Sequence, residues 1–344
     1  MRKPSMTQVF DAEQTSAELE KWIRSSVQQT LKKRGAVVGI SGGIDSSVVA
    51  SLCCRALGAQ RVVGIAMPEK DSSPESLTLA RRLAQRLNME LAVEDLTPAL
   101  ESLGAYRRRD AAVKRVFPDY RAGQGFKITL QSKPLESNTL NVFQITRVDE
   151  QGDETSVRLN YAEYAQIVAA SNMKQRLRMT TLYYHAEQRN YAVAGTGNKN
   201  EIQLGFFVKY GDGGSDLVPL GHLYKSQIFQ LAEYLQIPRE IILRKPTTDT
   251  YPAEVTQEDF FFRVSFTTLD AIWEKMENGG DAKTIARRLQ LSPLQAQRVM
   301  DDIRQKHANT RYLRLPPLTF PPPAPEGDDE QRSRAGDQEV KPAR

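Results

Sequence analysis

The sequence predicts an α/β fold in which a twisted parallel sheet is flanked by helices on both faces. Three short apolar segments, 36–40, 61–66 and 89–93, have the composition of strands that are buried on both sides. Helical segments separate these strands, and alternating strands and helices imply crossover connections and therefore a parallel sheet. A fourth apolar segment of the same kind follows at 191–195.

The first helix is predicted over residues 15–34. Thr15 and Glu18 form a capping-box pattern at its start, and Gly35 stands where a helix would stop. Its apolar residues recur at helical spacing and define one face: Leu19, Trp22, Ile23, Val27 and Leu31. The segment therefore reads as an amphipathic helix.

The other helices are recognised by their apolar spacing and by start and stop residues. Ser73-Pro74-Glu75 begins one of them, because proline is favoured in the first turn. The remaining helices are predicted over 45–57, 161–188, 223–235, 266–277 and 281–308.

Two segments depart from the alternation of strands and helices. From Phe126 polar and apolar residues alternate along the sequence, which predicts a β-rich insertion at about 123–158. We expect it to be a hairpin or small meander that turns near residues 151–153. We call residues 123–158 the insertion. Residues 321–344 are charged and rich in proline and are predicted to be a disordered tail. Residues 1–320 are accordingly predicted to form one domain that carries the insertion.

Composition narrows the classes of function. The formal net charge of +5 favours anionic ligands but is too small to indicate nucleic acid. No apolar stretch is long enough to span a membrane, and the amino terminus lacks a secretory signal. The two cysteines, Cys53 and Cys54, are adjacent and are expected to be reduced and buried. We therefore expect a cytoplasmic protein without nucleic-acid or membrane partners.

The stretch VVGISGGIDSS at residues 37–47 predicts a phosphate site. Two glycines let the backbone curl so that successive N–H groups converge, and a helix begins directly afterwards with its positive end at the same place. Ser41, Ser46 and Ser47 add hydroxyl donors. A carboxylate at Asp45 would repel phosphates unless a cation lay between them, so Mg²⁺ is implied. The alternative is a Gly-Ser turn that caps an ordinary helix.

The string S-G-G-x-D-S after a strand resembles the N-type ATP pyrophosphatases, which cleave ATP between its α and β phosphates. Four later segments decide the family. They are NMKQRLRM (172–179), GTGNKNE (195–201), GFFVKYGDGGSDLVP (205–219) and YKSQI (224–228). In this order they resemble the ammonia-dependent NAD⁺ synthetases, and the resemblance covers most of 15–100 and 160–310.

That resemblance implies a reaction in two steps. The carboxylate of deamido-NAD⁺ attacks the α-phosphate of ATP, which gives an acyl adenylate and pyrophosphate, and ammonia then displaces AMP. The resemblance also implies Mg²⁺ as cofactor and a homodimer. The sequence shows no glutaminase region, so ammonia is expected to be free or supplied by a separate protein.

Site residues are carried over from the family position by position. The ATP-binding residues are expected to be Gly39, Ser41, Gly42, Gly43, Asp45, Ser46, Ser47, Thr196, Lys225 and Thr247. Of these, Asp45, Lys225 and Thr247 are the expected catalytic residues, and Asp45 with Glu201 is expected to bind the metal. The residues expected to bind deamido-NAD⁺ are Asn172, Arg176, Arg178, Lys209, Asp212 and Asp216. Taken singly, Arg176 and Arg178 could instead belong to a solvated helix face.

The sequence differs from the usual synthetase pattern in several places. Ala66-Met67-Pro68 lacks the arginine expected before the proline, and His222 replaces an aspartate. Gln257-Glu258-Asp259 replaces an acidic pair and is followed by Phe260-Phe261-Phe262, in a region where a loop normally closes over the acyl adenylate. We expect the three phenylalanines to pack in the core or a dimer interface. The alternative is that they reshape the acceptor pocket.

These departures keep other functions open. One is a related ATP-dependent amide-forming ligase that adenylates a different carboxylate. Another is a regulator that binds nucleotide without releasing pyrophosphate, although the pair of Asp45 and Glu201 argues against it. A tRNA-modifying pyrophosphatase would use the basic residues between 107 and 121 for RNA, but the chain has no zinc-type set of cysteines.

Overall fold

Two β-sheets organise the chain in the computed structural model, which describes residues 10–130, 134–136, 143–149, 151–248 and 250–320. The strands are β1 (Ala36–Gly39), β2 (Val62–Ala66), β3 (Glu90–Val93), β4 (Gly125–Leu130), β5 (Phe143–Val148), β6 (Glu154–Arg158) and β7 (Ala192–Ala194). One sheet is parallel, in the order β3-β2-β1-β7, and the other is antiparallel, in the order β4-β5-β6. The predicted α/β fold with four parallel strands is confirmed.

Helices connect and surround these strands. In chain order they are α1 (Ala12–Ser25), α2 (Ile44–Leu57), α3 (Pro74–Leu87), α4 (Thr97–Ser102), α5 (Ala105–Val116), α6 (Tyr161–Arg189), α7 (Lys199–Leu204), α8 (Lys225–Tyr234), α9 (Arg239–Leu243), α10 (Phe266–Glu277), α11 (Ala282–Leu289), α12 (Pro293–Asn309) and α13 (Arg311–Arg314). Short π-helical turns follow α1 and precede α10. In the described part of the chain, none of these helices combines the length and the apolar character that a bilayer crossing requires.

Helices cover both faces of the parallel sheet, as predicted. Successive residues of a strand point to opposite faces, and in β1 Ala36 and Val38 pack in one core while Val37 packs in another. The first core is completed by α1, α2, α3 and α8, and it contains the free thiol of Cys53. The second is completed by α6, through Met179 and Leu182.

The first helix begins earlier than predicted. Asp11 is its N-cap residue and accepts a hydrogen bond from the Gln14 backbone N–H at 2.9 Å, so Thr15 lies inside α1. The predicted apolar face is buried at Leu19, Ile23 and Val27, but Trp22 is 45% exposed. Trp22 therefore does not share the burial of the apolar face, and it lines a surface pocket together with Val218 and His222.

The helix predicted over 281–308 is two helices. Gln290 adopts a left-handed conformation at φ 57° and ends α11. Ser292 then forms a capping box with Gln295, and Pro293 occupies the first position of α12. These residues stop one helix and start the next within three positions.

The insertion forms a three-stranded meander, one of the two forms that the sequence left open. Ile128 pairs with Ile145, which pairs with Val157, and Gly152 turns the chain between β5 and β6 at φ 88°. Residues 131–133, 137–142 and 150 of the insertion, and the predicted tail, lie outside the described residues. The insertion packs on α5 and α6 through a cluster that we call the insertion core: Ala112, Val113, Phe117, Tyr120, Phe126, Ile128, Ile145, Leu159, Ile167, Tyr251 and Val255.

Candidate active site

A cleft of about 270 Å³ opens at the carboxyl ends of β1, β2 and β7. It is lined by residues at the ends of these strands and in the loops that follow them, in particular Gly39, Ile40 and Ser41 for β1, Ala66-Met67-Pro68 for β2, and Thr196 and Gly197 for β7. Ligands of open α/β sheets bind at this edge. The sequence motifs therefore meet at one place.

The loop after β1 brings the start of α2 to the cleft. Gly42 has a φ of +73°, and a methyl group added there would lie 2.6 Å from the Ser76 carbonyl oxygen of α3. Only glycine fits this conformation and this close approach. Gly43 is the N-cap residue of α2 and provides no side-chain cap. The positive end of α2 therefore faces the cleft without a protein acceptor from its cap residue, which suits an anion.

The hydroxyl groups of this loop have two different placements. Ser41 and Ser46 line the cleft, their oxygens lie 3.2 Å apart, and Ser46 donates to the Gly43 carbonyl at 3.0 Å. Ser47 is fully buried and donates to the same carbonyl at 2.8 Å. Ser41, Gly43 and Ser46 therefore face the cleft, whereas Gly42 and Ser47 shape the loop behind it.

Asn198 joins the two predicted metal-binding carboxylates. Its side-chain amide donates to Asp45 at 3.2 Å, and its backbone N–H donates to the Glu201 carboxylate at 3.1 Å. Asn198 also caps α7, because its side-chain oxygen accepts from the Glu201 backbone N–H at 3.0 Å. One fully buried residue thus binds both carboxylates, through its side chain and its backbone, although the two acids are 156 positions apart in the sequence. In the sequence, the capping-box spacing of Asn198 and Glu201 is the signal that could have identified Asn198.

Lys225 balances part of this negative charge. It is fully buried at the start of α8, and its ammonium forms an ion pair with Asp45. Burial raises the pKa of Glu201, and the negative charge of Asp45 raises it further, while Lys225 opposes the shift. A second cation beside these carboxylates would favour the charged form of Glu201, so the pair could hold a divalent metal.

Three further cations line the cleft: Arg178, Arg244 and Lys245. Arg178 was predicted from the sequence, but Arg244 and Lys245 were not. Arg244 donates to the Ser76 hydroxyl at 3.0 Å, at the start of α3. It therefore brings positive charge to the cleft beside the start of α3.

The residues after α9 form a short finger beside Glu201. We call residues 246–248 and 250–257 the finger. Thr247 forms an isolated β-bridge with Thr256, and both Thr247 and Gln257 line the cleft. The Gln257 amide donates to the Glu201 carboxylate at 3.3 Å. Gln257 is a site residue that sequence reasoning missed, because its contact with Glu201 is created by the tertiary fold.

Only two of the six predicted substrate residues line the cleft. Arg178 projects from α6, and Asp212 accepts a hydrogen bond from the Val208 backbone N–H at 2.8 Å. Asn172 and Arg176 also lie on α6, but they are absent from the cleft wall, and Arg176 is exposed.

Lys209 and Asp216 make contacts with the protein itself. The Lys209 ammonium donates to the carbonyls of Tyr312 at 3.0 Å and Leu315 at 2.8 Å, and so holds the chain after α12. The Asp216 carboxylate accepts from the Tyr183 hydroxyl at 2.9 Å and from the Val193 backbone N–H at 2.8 Å. Neither side chain lines the cleft described above.

The three phenylalanines pack inward. Phe262 is fully buried in the core formed with α10 and α12, and Phe261 stacks on Phe206 with ring centroids 4.9 Å apart. This agrees with the expectation that they belong to a core.

Comparison with known proteins identifies the family. A family model described as NAD synthase matches residues 15–119 and 128–314. The chain belongs to the NAD synthase family. It is 49% identical to the NH(3)-dependent NAD(+) synthetase of Mesorhizobium japonicum over 86% of this chain and 92% of that protein. It is 46% identical to the protein of the same name from Rhizobium meliloti, over 86% of this chain and 88% of that one. The resemblance inferred from the sequence is confirmed.

Solved structures of the family share the fold. NMN synthetase from Francisella tularensis aligns with a TM-score of 0.62 and 25% identity, over 90% of this chain and 98% of that one. The NH3-dependent NAD synthetase from Campylobacter jejuni aligns with a TM-score of 0.58 and 24% identity, over 90% and 99% of the two chains. The second likeness is evidence for the fold alone.

Proposed function

We propose that this protein amidates deamido-NAD⁺ with ammonia in an ATP-dependent reaction that releases AMP and pyrophosphate. The observation that carries the proposal is the pair of carboxylates, Asp45 and Glu201, joined by Asn198 beside the positive end of α2. It occurs in a chain that is 49% identical to a protein named for this reaction.

The chemistry explains why ATP is needed. A free carboxylate is a poor acyl donor, because ammonia would have to expel oxide. When a carboxylate oxygen of deamido-NAD⁺ attacks the α-phosphorus, the bond to the β-phosphate oxygen breaks and pyrophosphate leaves. Ammonia then attacks the acyl carbon, AMP departs with the carboxylate oxygen, and a proton is released. Holding the two nucleotides in line supplies much of the rate enhancement.

The phosphates of ATP would lie along the loop after β1. Ser41, Gly43 and Ser46 offer donors at the start of α2, and Arg244 and Lys245, which line the same cleft, add positive charge. Donors and cations fixed before the reaction stabilise the charge that builds up on the departing pyrophosphate. Lys225 and Thr247 line the same cleft, and we propose that they approach the same phosphates.

Mg²⁺ would be held by Asp45 and Glu201. The donor set fits this ion, because Mg²⁺ in nucleotide sites is bound by one or two carboxylates and takes its other ligands from phosphates and water. Within the described residues there is no cluster of three or more His, Cys, Asp or Glu side chains that would form a complete protein cage. When bound, the ion would neutralise phosphate charge, and Asn198 would keep the two carboxylates oriented.

Product analysis with several acceptors tests the proposal. The protein would be mixed with ATP, Mg²⁺ and ammonia, together with deamido-NAD⁺, nicotinic acid mononucleotide or an unrelated carboxylate, and the products identified by mass spectrometry. We expect NAD⁺, AMP and pyrophosphate in equal amounts, with deamido-NAD⁺ preferred. Turnover of another carboxylate but not of deamido-NAD⁺ would replace the proposed acceptor, and nucleotide binding without any pyrophosphate release would exclude a ligase.

Three further properties belong to the proposal, on the basis of the sequence and its family resemblance. They are a homodimer, a cytoplasmic location, and ammonia that is free or supplied by a separate protein. Sedimentation analysis with and without ATP measures the first. Assay of the purified protein with ammonium salt as the sole nitrogen source tests whether it needs a supplier.

A further inference from the structure

The finger carries cleft residues but has few bonds of its own. Its internal backbone hydrogen bonds are those from Gln257 N–H to the Pro246 carbonyl at 2.9 Å and from Thr248 N–H to the Val255 carbonyl at 3.2 Å. A segment with so little internal structure needs external contacts to keep a single conformation. Those contacts decide whether Thr247 and Gln257 face the cleft.

The insertion core supplies the apolar contacts. Tyr251 and Val255 of the finger are each 5% exposed, and they are buried in the insertion core rather than against the parallel sheet. The rings of Tyr251 and Phe126 lie 5.7 Å apart, and the Ala253 N–H donates to the Phe126 carbonyl of β4 at 3.1 Å. Strand β4 therefore holds the finger through both side chain and backbone.

A buried group of charges supplies a second attachment. The Lys174 ammonium on α6 donates to the Thr250 carbonyl of the finger at 2.9 Å. The same ammonium contacts Glu69 at 2.9 Å and Asp71 at 2.6 Å, in the loop after β2. Tyr106 and Arg109 of α5 complete the group by contacts with these two acids. We call the five side chains, Glu69, Asp71, Tyr106, Arg109 and Lys174, the buried charge group.

We propose that the insertion is a positioning device for the active site, and that Tyr251 is the positioning residue through which it holds the finger against the cleft. The finger is then ordered before ATP binds, and it shields the acyl adenylate from water. This inference rests on the proposed function for its second measurement only. Without the Tyr251 ring the finger would open, and water could convert the acyl adenylate back to deamido-NAD⁺ and AMP.

The test compares Tyr251→Ala with Tyr251→Phe and Phe143→Ala. Tyr251→Phe keeps the ring that packs on Phe126. Phe143→Ala is the matched control, because Phe143 belongs to the insertion but stacks on Tyr164 of α6, with ring centroids 4.0 Å apart, rather than on the finger. The first measurement is hydrogen exchange of peptides covering 246–257 without ligands. The second is the ratio of AMP released to NAD⁺ formed.

We expect Tyr251→Ala to speed hydrogen exchange of the finger by about tenfold or more. A tenfold increase corresponds to a decrease of about 1.4 kcal/mol in the free energy of local opening. The AMP to NAD⁺ ratio should rise severalfold above one. Tyr251→Phe and Phe143→Ala should leave both values near those of the unchanged protein. A general loss of stability would not alter the ratio, because an unfolded molecule makes neither product.

Unchanged exchange in Tyr251→Ala would overturn the proposal, and so would faster exchange with a ratio that stays at one. If Tyr251→Ala fails to fold, Phe126→Leu provides the same test, with a smaller change in the same direction expected for both measurements. If the unchanged protein makes no NAD⁺, the proposed function fails, while the exchange of the finger still decides whether the insertion holds it.

Discussion

The parallel sheet and the insertion are packed in different ways. Around the sheet, the core consists mainly of Val, Ile, Leu and Ala side chains from the strands and their covering helices. The insertion core combines aliphatic side chains with aromatic rings, among them Phe117, Tyr120 and Phe126, and the buried charge group lies beside these rings. The sheet delivers Asp45 and Thr196 to the cleft directly from its strand ends, whereas the insertion acts on the cleft through the finger.

The two regions therefore differ in how their stability depends on individual side chains. Apolar packing is tolerant of small changes in shape and does not depend on charge. A buried ionic group depends on every member, because removal of one partner leaves the others buried without compensation. The buried charge group beside the insertion core should therefore be more sensitive to single substitutions than the apolar cores around the sheet.

The largest expected effect is on stability, at Lys174. Lys174→Met leaves Glu69 and Asp71 buried without their shared cation, and we expect it to lower the free energy of unfolding by about 3–5 kcal/mol. Urea denaturation measures this change. Lys283→Met, at an exposed position of α11, should stay within about 0.5 kcal/mol of the unchanged protein. A loss of less than about 1 kcal/mol at Lys174 would remove the contrast between the two regions.

The next effect is on catalysis, at Lys225. Lys225→Met removes the cation paired with Asp45, and we expect kcat to fall by about 10²–10³-fold, the usual cost of a positioned charge in a site. Lys199→Met is the matched control, because the Lys199 ammonium faces Glu277 at 2.7 Å outside the cleft. Steady-state kinetics per folded molecule should show a change of less than about threefold for the control, and equal losses in both variants would contradict the assignment.

A smaller effect is expected at Arg244. We expect Arg244→Ala to raise the KM for ATP by about tenfold or more, because a hydrogen bond to a charged group contributes about 1.5–3 kcal/mol. Arg82→Ala, which removes an exposed pair with Glu240, should leave the KM unchanged. An unaltered KM in Arg244→Ala would mean that this wall of the cleft does not contact the phosphates.

The smallest expected effect is the pH dependence of stability that Asp71 contributes. Burial alone would raise the pKa of Asp71, but the charges of Lys174 and Arg109 outweigh it and hold that pKa below its ordinary value. The carboxylate therefore stabilises the fold above the unfolded-state pKa of about 3.9, and this contribution is lost as the pH falls through the lower folded-state value. The difference in unfolding free energy between the unchanged protein and Asp71→Asn should be largest near neutral pH and shrink below about pH 4. A difference in unfolding free energy that grows as the pH falls would contradict the lowered pKa of Asp71.

The sequence predicted the sheet and its cleft better than the insertion's role. The strand at 36–39 and the loop to Asp45 are encoded by adjacent residues, so local pattern sufficed. Thr247 was identified by resemblance, but the contacts of Gln257 and Lys245 depend on where the finger packs, and no local spacing encodes that. The order of the strands was also not predicted, because apolar runs do not specify their neighbours.

One error came from a signal that was present in the sequence but was outweighed by another. Ser292-Pro293 is a helix start inside the segment predicted as one helix, and the continuing apolar spacing obscured it. Lys209 and Asp216 lie in a stretch typical of the family, and their side chains contact the protein's own backbone, so their assignment to the substrate stays a prediction. A charged residue in a motif can hold the site together instead of facing the ligand, and sequence alone does not separate these two uses.

The pair of Asp45 and Glu201 is tested most directly by pyrophosphate release in Asp45→Asn, a change that preserves the shape of the side chain. ATP, Mg²⁺ and deamido-NAD⁺ would be mixed with the variant without ammonia, and pyrophosphate followed over a single turnover. We predict no detectable pyrophosphate from a variant whose circular dichroism and urea transition match those of the unchanged protein. Release at a near-normal rate would contradict the metal site and the mechanism built on it.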